Sequence, residues 1–171
     1  MKSALASTRS GAVAAGVAAL VLSAFAVVAP SAQSKGGPLP ALGKKQFIAE
    51  ADAICTTAEK RIGPIMPAGD PAAPGKSLVT LARVAYAWAG IEAKMAHDLR
   101  ALHAPAEFRS HWETSMDALD RRVALELVVG DDAVRGDRQA IRHDGLEMMK
   151  AGAESINAIH GYGLEVCGAD S

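Results

Sequence analysis

Apolar side chains recur every three or four residues along four stretches of the chain, the period of amphipathic helices. In the first stretch Phe47, Ile48, Ala51, Ile54, Cys55, Ala58 and Ile62 gather on one face when successive residues turn by about 100°. Lys60 falls opposite, and Glu50, Asp52 and Glu59 fall on the margins. This predicts a helix over 44–62, ended by Gly63-Pro64. The second stripe is the most regular: Leu81, Val84, Trp88, Ile91, Met95, Leu99 and Leu102 predict a helix over 77–103 with Ser77 as its N-cap.

Ala104-Pro105 breaks that helix. Pro105 suits the first turn of a third helix, with Glu107 near its positive end. Phe108, Trp112, Met116, Leu119, Val123 and Leu127 form its face, and it runs to about residue 134 across Gly130-Asp131, or alternatively breaks at Gly130. Gly136-Asp137 supplies a stop and an N-cap for a fourth helix over 138–160. Its face holds Ile141, Gly145, Met148, Met149, Gly152, Ile156 and Ile159. Glycine costs helix stability, so Gly145 and Gly152 on that face predict close approach of a neighbour, an alanine-rich helix. Gly161 and Gly163 let the tail turn back. No stretch alternates with a period of two. The fold class is therefore all-α, an antiparallel four-helix bundle over 44–171.

The segments outside the stripes add a compartment. Residues 1–10 carry Lys2 and Arg9 and no acid, 11–29 are apolar, and small residues follow. Residues 1–34 thus have the layout of a secretory signal peptide, and a membrane anchor retained over 11–29 is the alternative. A linker over 35–43 holds glycines and two prolines, and 63–76 is a proline-rich loop. Composition agrees with helices: half of the residues are hydrophobic but only 4% are aromatic. A net charge of -1 offers no field for nucleic acid and no basic membrane patch. The placement is secreted or extracytoplasmic, with contact to a membrane only through an uncleaved N-terminal segment.

Two cysteines, Cys55 and Cys167, are too few for a cysteine-built zinc site and the right number for one clasp in an oxidising compartment. Cys55 lies inside the first apolar stripe and Cys167 almost at the C-terminus. One disulfide from helix 1 to the tail follows.

Candidate chemistry is sparse. Gly69 to Ser77 brings to mind a phosphate-binding loop, but five residues separate Gly69 from Gly75, and two prolines remove N–H groups that should hold phosphate. His97, His103 and His111 flank the helix 2–3 turn and form a weak candidate metal site; His143 and His160 lie elsewhere. No two histidines stand three or four residues apart, and no Glu-x-x-His motif occurs. Met95, Met116 and Met148 lie on apolar stripes as conceivable haem ligands, but methionine at helical spacing suits core filling. Ser77, Ser110, Ser115 and Ser155 lack a nucleophile-elbow context. Asp131-Asp132 sits at a helix kink or end, where solvation and capping explain it, and no other carboxylates suggest an acid–base pair in a cleft.

Phe47-x4-Asp52-x2-Cys55 near the start, Gly163-Leu164-x2-Cys167 near the end, and Gly136-Asp137 before the last helix resemble small exported alanine-rich helical proteins of high-GC, actinobacteria-like bacteria. The resemblance covers about residues 44–168. It implies the bundle and the cysteine pairing and supplies no activity. Lipoproteins are frequent among such proteins, but this chain lacks an N-terminal cysteine for a lipid.

The functional expectation is an exported, non-enzymatic bundle that binds an unknown protein or small molecule, or serves the envelope, with no catalytic residues and no cofactor. The alternative is a metal- or haem-binding bundle in the same compartment. Pairing of helix 4 with a second copy is a further, weaker option. A clasp closing a loop of about a hundred residues is worth roughly 4–5 kcal/mol in the chain-entropy account, against about 5–15 kcal/mol for a typical domain. Cys55→Ala is therefore expected to lower the melting temperature markedly while far-UV circular dichroism stays helical. Non-reducing peptide mapping of the exported protein should recover Cys55 joined to Cys167, and two free thiols would refute the clasp.

Overall fold

In a computed structural model the described residues are 41–65, 75 and 77–168. Four helices carry them: α1 over Lys44–Ile62, α2 over Leu78–Arg100, α3 over Arg109–Arg135 and α4 over Arg138–Ile159. A short 3₁₀ turn, Gly63–Ile65, follows α1, and there is no strand among the described residues. The protein is an all-α bundle. Residues 1–34, read from the sequence as a signal peptide, most of the 35–43 linker and most of the proline-rich loop lie outside the described residues. No described helix is long and apolar enough to cross a membrane.

The helix ends follow local chemistry. Ser77 Oγ accepts from Thr80 N–H at the start of α2. Asp137 Oδ1 accepts from the N–H groups of Gln139 and Ala140, both at 3.0 Å, and opens α4. Gly136 stops α3 at φ 77°, a left-handed conformation that glycine adopts without strain. α3 runs unbroken through Gly130, where a Cβ would stand 2.7 Å from the Tyr86 ring. That ring lies across α3, and Tyr86 Oη donates to Asp131 Oδ1.

Three expectations are corrected. α2 stops at Arg100, short of His103. α3 begins at Arg109, and Pro105 precedes it in a turn closed by Phe108 N–H donating to the Pro105 carbonyl. The expected glycine seam on α4 does not form, because a Cβ at Gly145 would meet nothing within 4 Å. Gly152 is the close approach, and its neighbour is the side chain of Arg122, 3.0 Å from the position of an added Cβ.

Packing divides the interior into two apolar clusters. The larger surrounds Phe47, which meets Trp112 edge-on at 4.8 Å and Phe108 edge-on at 5.9 Å, with Leu99, Met116, Leu119 and Ile159 nearby. The smaller joins Leu81, Ala82 and Ala85 to Val129, Ala133 and Ile141. Here α2, α3 and α4 supply every residue of the core, because α1 ends before reaching it. Cross-pairs fix the antiparallel order: Tyr86 with Asp131 and Arg100 with Asp120 between α2 and α3, Ser115 with Ser155 and Arg121 with Glu154 between α3 and α4.

α1 is held differently. Among the helices its backbone packs on α2 alone, and no Cα of α1 comes within 8 Å of one in α4. Its attachment to the end of α4 runs through the tail. Cys55 and Cys167 form the disulfide, which persists where the environment is oxidising. One turn earlier on α1, Asp52 accepts three tail N–H groups: Glu165 at 3.0 Å on Oδ2, and Val166 at 2.9 Å and Cys167 at 3.1 Å on Oδ1. Leu164 tucks into the larger cluster, and Tyr162 stacks on Phe108 at 3.5 Å.

Hydrogen bonds to a charged group contribute about 1.5–3 kcal/mol each when buried and less at a partly open site. Asp52→Ala is expected to destabilise the domain by about 1–3 kcal/mol with the disulfide intact, read as a lower urea midpoint. Asp52→Asn should recover part of the loss, because its amide oxygen can still accept.

Candidate functional site

The two apolar clusters are separated by charge. On α2, Glu92 lies one turn beyond Trp88, and on α3, Arg122 and Glu126 lie one turn apart. All three meet at the level where α1 ends. Glu92 is 4% exposed and Glu126 2%. Arg122 Nη2 reaches Glu92 Oε1 at 2.9 Å, and its Nε reaches Glu126 Oε1 at 3.3 Å. Trp88 Nε1 donates to the same Glu92 Oε1 at 2.6 Å. The Arg122 guanidinium also lies over the Trp88 ring, 5.5 Å from its centre. Gly152 on α4 leaves room for the arginine.

These donors serve one oxygen of each carboxyl. Oε2 of Glu92 and Oε2 of Glu126 are buried and receive no N–H or O–H from any other residue type. The two carboxyls are close enough to hydrogen-bond each other, which requires that one hold a proton. Burial, reinforced by the neighbouring Glu92 charge and only partly offset by Arg122, pushes the Glu126 carboxyl up to about 8. At neutral pH Glu126 therefore holds its proton, beside the Glu92–Arg122 ion pair.

Below this group a cleft of about 390 Å³ runs between the helices, in the space that α1 and α4 leave open. Ala58 and Ile62 of α1, Met95 and Leu99 of α2, Met116 and Leu119 of α3, and Ile156 and Ile159 of α4 form its walls. Glu92 and Arg122 stand at one end and Trp112 at the other, ten residues apart on α3 and so about 15 Å along the helix. The Ser115 and Ser155 hydroxyls meet at 3.0 Å between those ends. Trp112 Nε1 is buried and finds no acceptor. The Cys55–Cys167 disulfide lines the same cleft. The arrangement is an apolar slot with a few converging polar groups, of the size that takes small organic molecules.

The residues singled out from the sequence distribute unevenly. Cys55 and Cys167 are joined as expected. His97, His103 and His111 are all exposed, none lines this cleft, and no three His, Cys, Asp or Glu residues gather into a metal-binding group among the described residues. Met95 and Met116 line the cleft and Met148 does not. Ser115 and Ser155, which lack motif context, turn out to face each other. Leu127 and Met149, placed on apolar faces by periodicity, are 45% and 67% exposed, because the bundle at that level has only three helices and their side is uncovered. Gly69 to Lys76, Gly75 apart, lie outside the described residues.

The buried Glu92–Glu126 pair, of which Glu92 lines the cleft, was missed. A signal existed: Glu92 stands one turn from Trp88 and next to Ile91 on the most regular stripe, and Glu126 sits beside Leu127 on the third. A second missed pair lies at the α3–α4 turn. Asp132, expected to be solvated, is 1% exposed. It pairs with Arg135, and burial followed by a hydrogen bond to Asp144 raises its carboxyl above the ordinary aspartate range. Asp144 is held low, first by His143, whose ring nitrogen lies 2.9 Å away, and then by Asp132. This pair is local to the hairpin and borders no cavity described here.

A carboxyl that holds its proton more tightly in the folded state favours folding while both states are protonated, and loses that contribution as pH rises. For Glu126 the loss runs from its ordinary value of 4.5 to about 8, at up to about 1.4 kcal/mol per pH unit. Urea midpoints measured across this window should fall with pH more steeply in the wild type than in Glu126→Gln. Parallel profiles would mean that Glu126 ionises normally.

Comparison with known proteins found no matching family model, no matching curated protein and no matching solved structure.

Proposed function

We propose that this protein is an exported, non-enzymatic binding bundle whose cleft between α1 and α4 takes a small amphipathic organic molecule. The observation that carries the reading is the cleft itself: about 390 Å³, walled by aliphatic side chains and methionines, with buried polar groups converging at its ends and middle. A bundle stabilised only by its core would gain by filling that space with apolar side chains. A buried ion pair is weak as a stabilising device, so its retention here fits a binding role. The disulfide supports an oxidising, extracytoplasmic setting, in line with the export segment read at residues 1–34.

Binding rather than catalysis is supported by the company each reactive group keeps. Ser115 and Ser155 hydrogen-bond each other with no histidine lining the cleft, and Oε1 of Glu92 is engaged by Trp88 and Arg122. The metal- or haem-binding alternative gains no support from the lining, which holds two methionines and no histidine.

Both tryptophans of the chain line the cleft, so their emission reports its contents. Octanol titrated into the mature protein is expected to change tryptophan emission saturably and to raise the melting temperature. Ala58→Phe, which fills the slot from α1, should weaken that binding at least tenfold while circular dichroism stays helical. An absence of saturable change with octanol, octanoate and octylammonium alike would overturn the reading.

A further inference from the structure

The polar end of the cleft has an unusual electrostatic balance. Arg122 Nη2 and Trp88 Nε1 reach Oε1 of Glu92, and Arg122 Nε reaches Oε1 of Glu126. The two Oε2 atoms are left buried, and the proton between the carboxyls is what keeps them from repelling each other. With that proton the group is neutral; without it one negative charge is left over against a single arginine. Among the described residues that line the cleft, the other charged side chain is Glu59. α4 presents Gly152, Ser155, Ile156 and Ile159, and α1 presents Ala58, Ile62 and, at the exposed mouth, Glu59, which adds negative potential. Glu92 lines the cleft, and apart from the Ser115–Ser155 pair the walls leading to it are apolar over about 15 Å.

We propose that this end of the cleft takes a monovalent organic cation, an ammonium group on an apolar chain, in exchange for the proton shared by Glu92 and Glu126. The inference rests on the cleft being a ligand site and names the ligand's class. In the exchange the Glu126 O–H bond breaks and the proton leaves to solvent. The ammonium group then sits against Glu92, the carboxylate that lines the cleft, with ionised Glu126 behind it, and the total charge at the site is unchanged. No bond to the ligand forms and no electrons move. An anion is repelled by Glu92, and a neutral alcohol leaves the proton in place. An inorganic cation matches the charge but leaves the apolar walls bare.

Because the site holds its proton up to a pH of about 8, cation binding is coupled to pH. One proton released per ligand makes affinity rise about tenfold per pH unit below that value and level off above it.

The experiment compares octylammonium, octanol, octanoate and sodium ion on the full mature chain, by tryptophan emission and by calorimetry in buffers of different ionisation enthalpy, between pH 5.5 and pH 8.5. The expected result is octylammonium binding that strengthens with pH and releases close to one proton, octanol binding without proton release, and weak octanoate binding. Glu126→Gln should keep octanol binding and abolish the proton release. Octanol binding with octylammonium no better, or with no proton released by octylammonium, overturns this proposal and leaves the cleft a ligand site. Failure of every octyl compound overturns the cleft reading itself. Sodium ion competing as well as octylammonium overturns the organic-cation class. If Glu126→Gln does not fold, the proton count of the wild type with octylammonium against octanol still decides the matter.

Discussion

The architecture depends on how α1 is fastened. Among the helices its backbone packs on α2 alone, so burial of one stripe holds one side of it and no Cα of α4 comes within 8 Å of the other. The tail supplies the missing attachment at two adjacent turns. Asp52 gathers three backbone N–H groups that would otherwise be unpaired at a chain end, and the disulfide makes the same junction covalent. Leu164 and Tyr162 then cover the aromatic group around Phe47 and Phe108. A wall fixed to α2 along its length and to the end of α4 only through a short tail stands away from α4 in between. That separation is the cleft.

The second constraint is the charged layer between the two apolar clusters. Arg122 lies across Gly152, caps the Trp88 ring and serves two carboxyls, and it holds this position because α4 has no side chain there. A layer of this kind costs desolvation energy that the ion pairs do not fully return. The lower cluster therefore carries most of the apolar packing, with four helix faces and the tail around Phe47. The upper cluster, closed by three helices, leaves Val79, Leu127, Val134 and Met149 open to solvent. The end of α1, the charged layer and the thinner upper core share one level of the bundle.

Much of this was legible in the chain. A period of three to four with glycine, proline and Asp137 at the breaks located all four helices, with α1 and α4 placed to within a residue. Ser77 and Asp137 were readable as caps because an N-cap depends on its own side chain and the next turn. Cys55 and Cys167 were readable as partners because only two cysteines exist. The errors came where a local signal met a competing one. Pro105 suits a first helical turn, yet the chain uses it to close a turn that lets Ala104 and Phe108 reach the core. Gly145 and Gly152 look alike in sequence, and only the second has a neighbour.

The sequence by itself determined the helices, their apolar faces and the single covalent link, because each is set by spacing, by the residues bordering an element, or by a count. Only the tertiary structure decided that α1 stands off α4, that Asp52 receives the tail, and that Glu92, Arg122 and Glu126 converge in the interior. Those outcomes depend on which faces of different helices meet and at what height. A glutamate on the margin of a stripe reads the same whether its neighbour is water or a half-buried arginine thirty residues away. Its chemistry is fixed by that neighbour and by the dielectric around both, and neither is written in the local pattern.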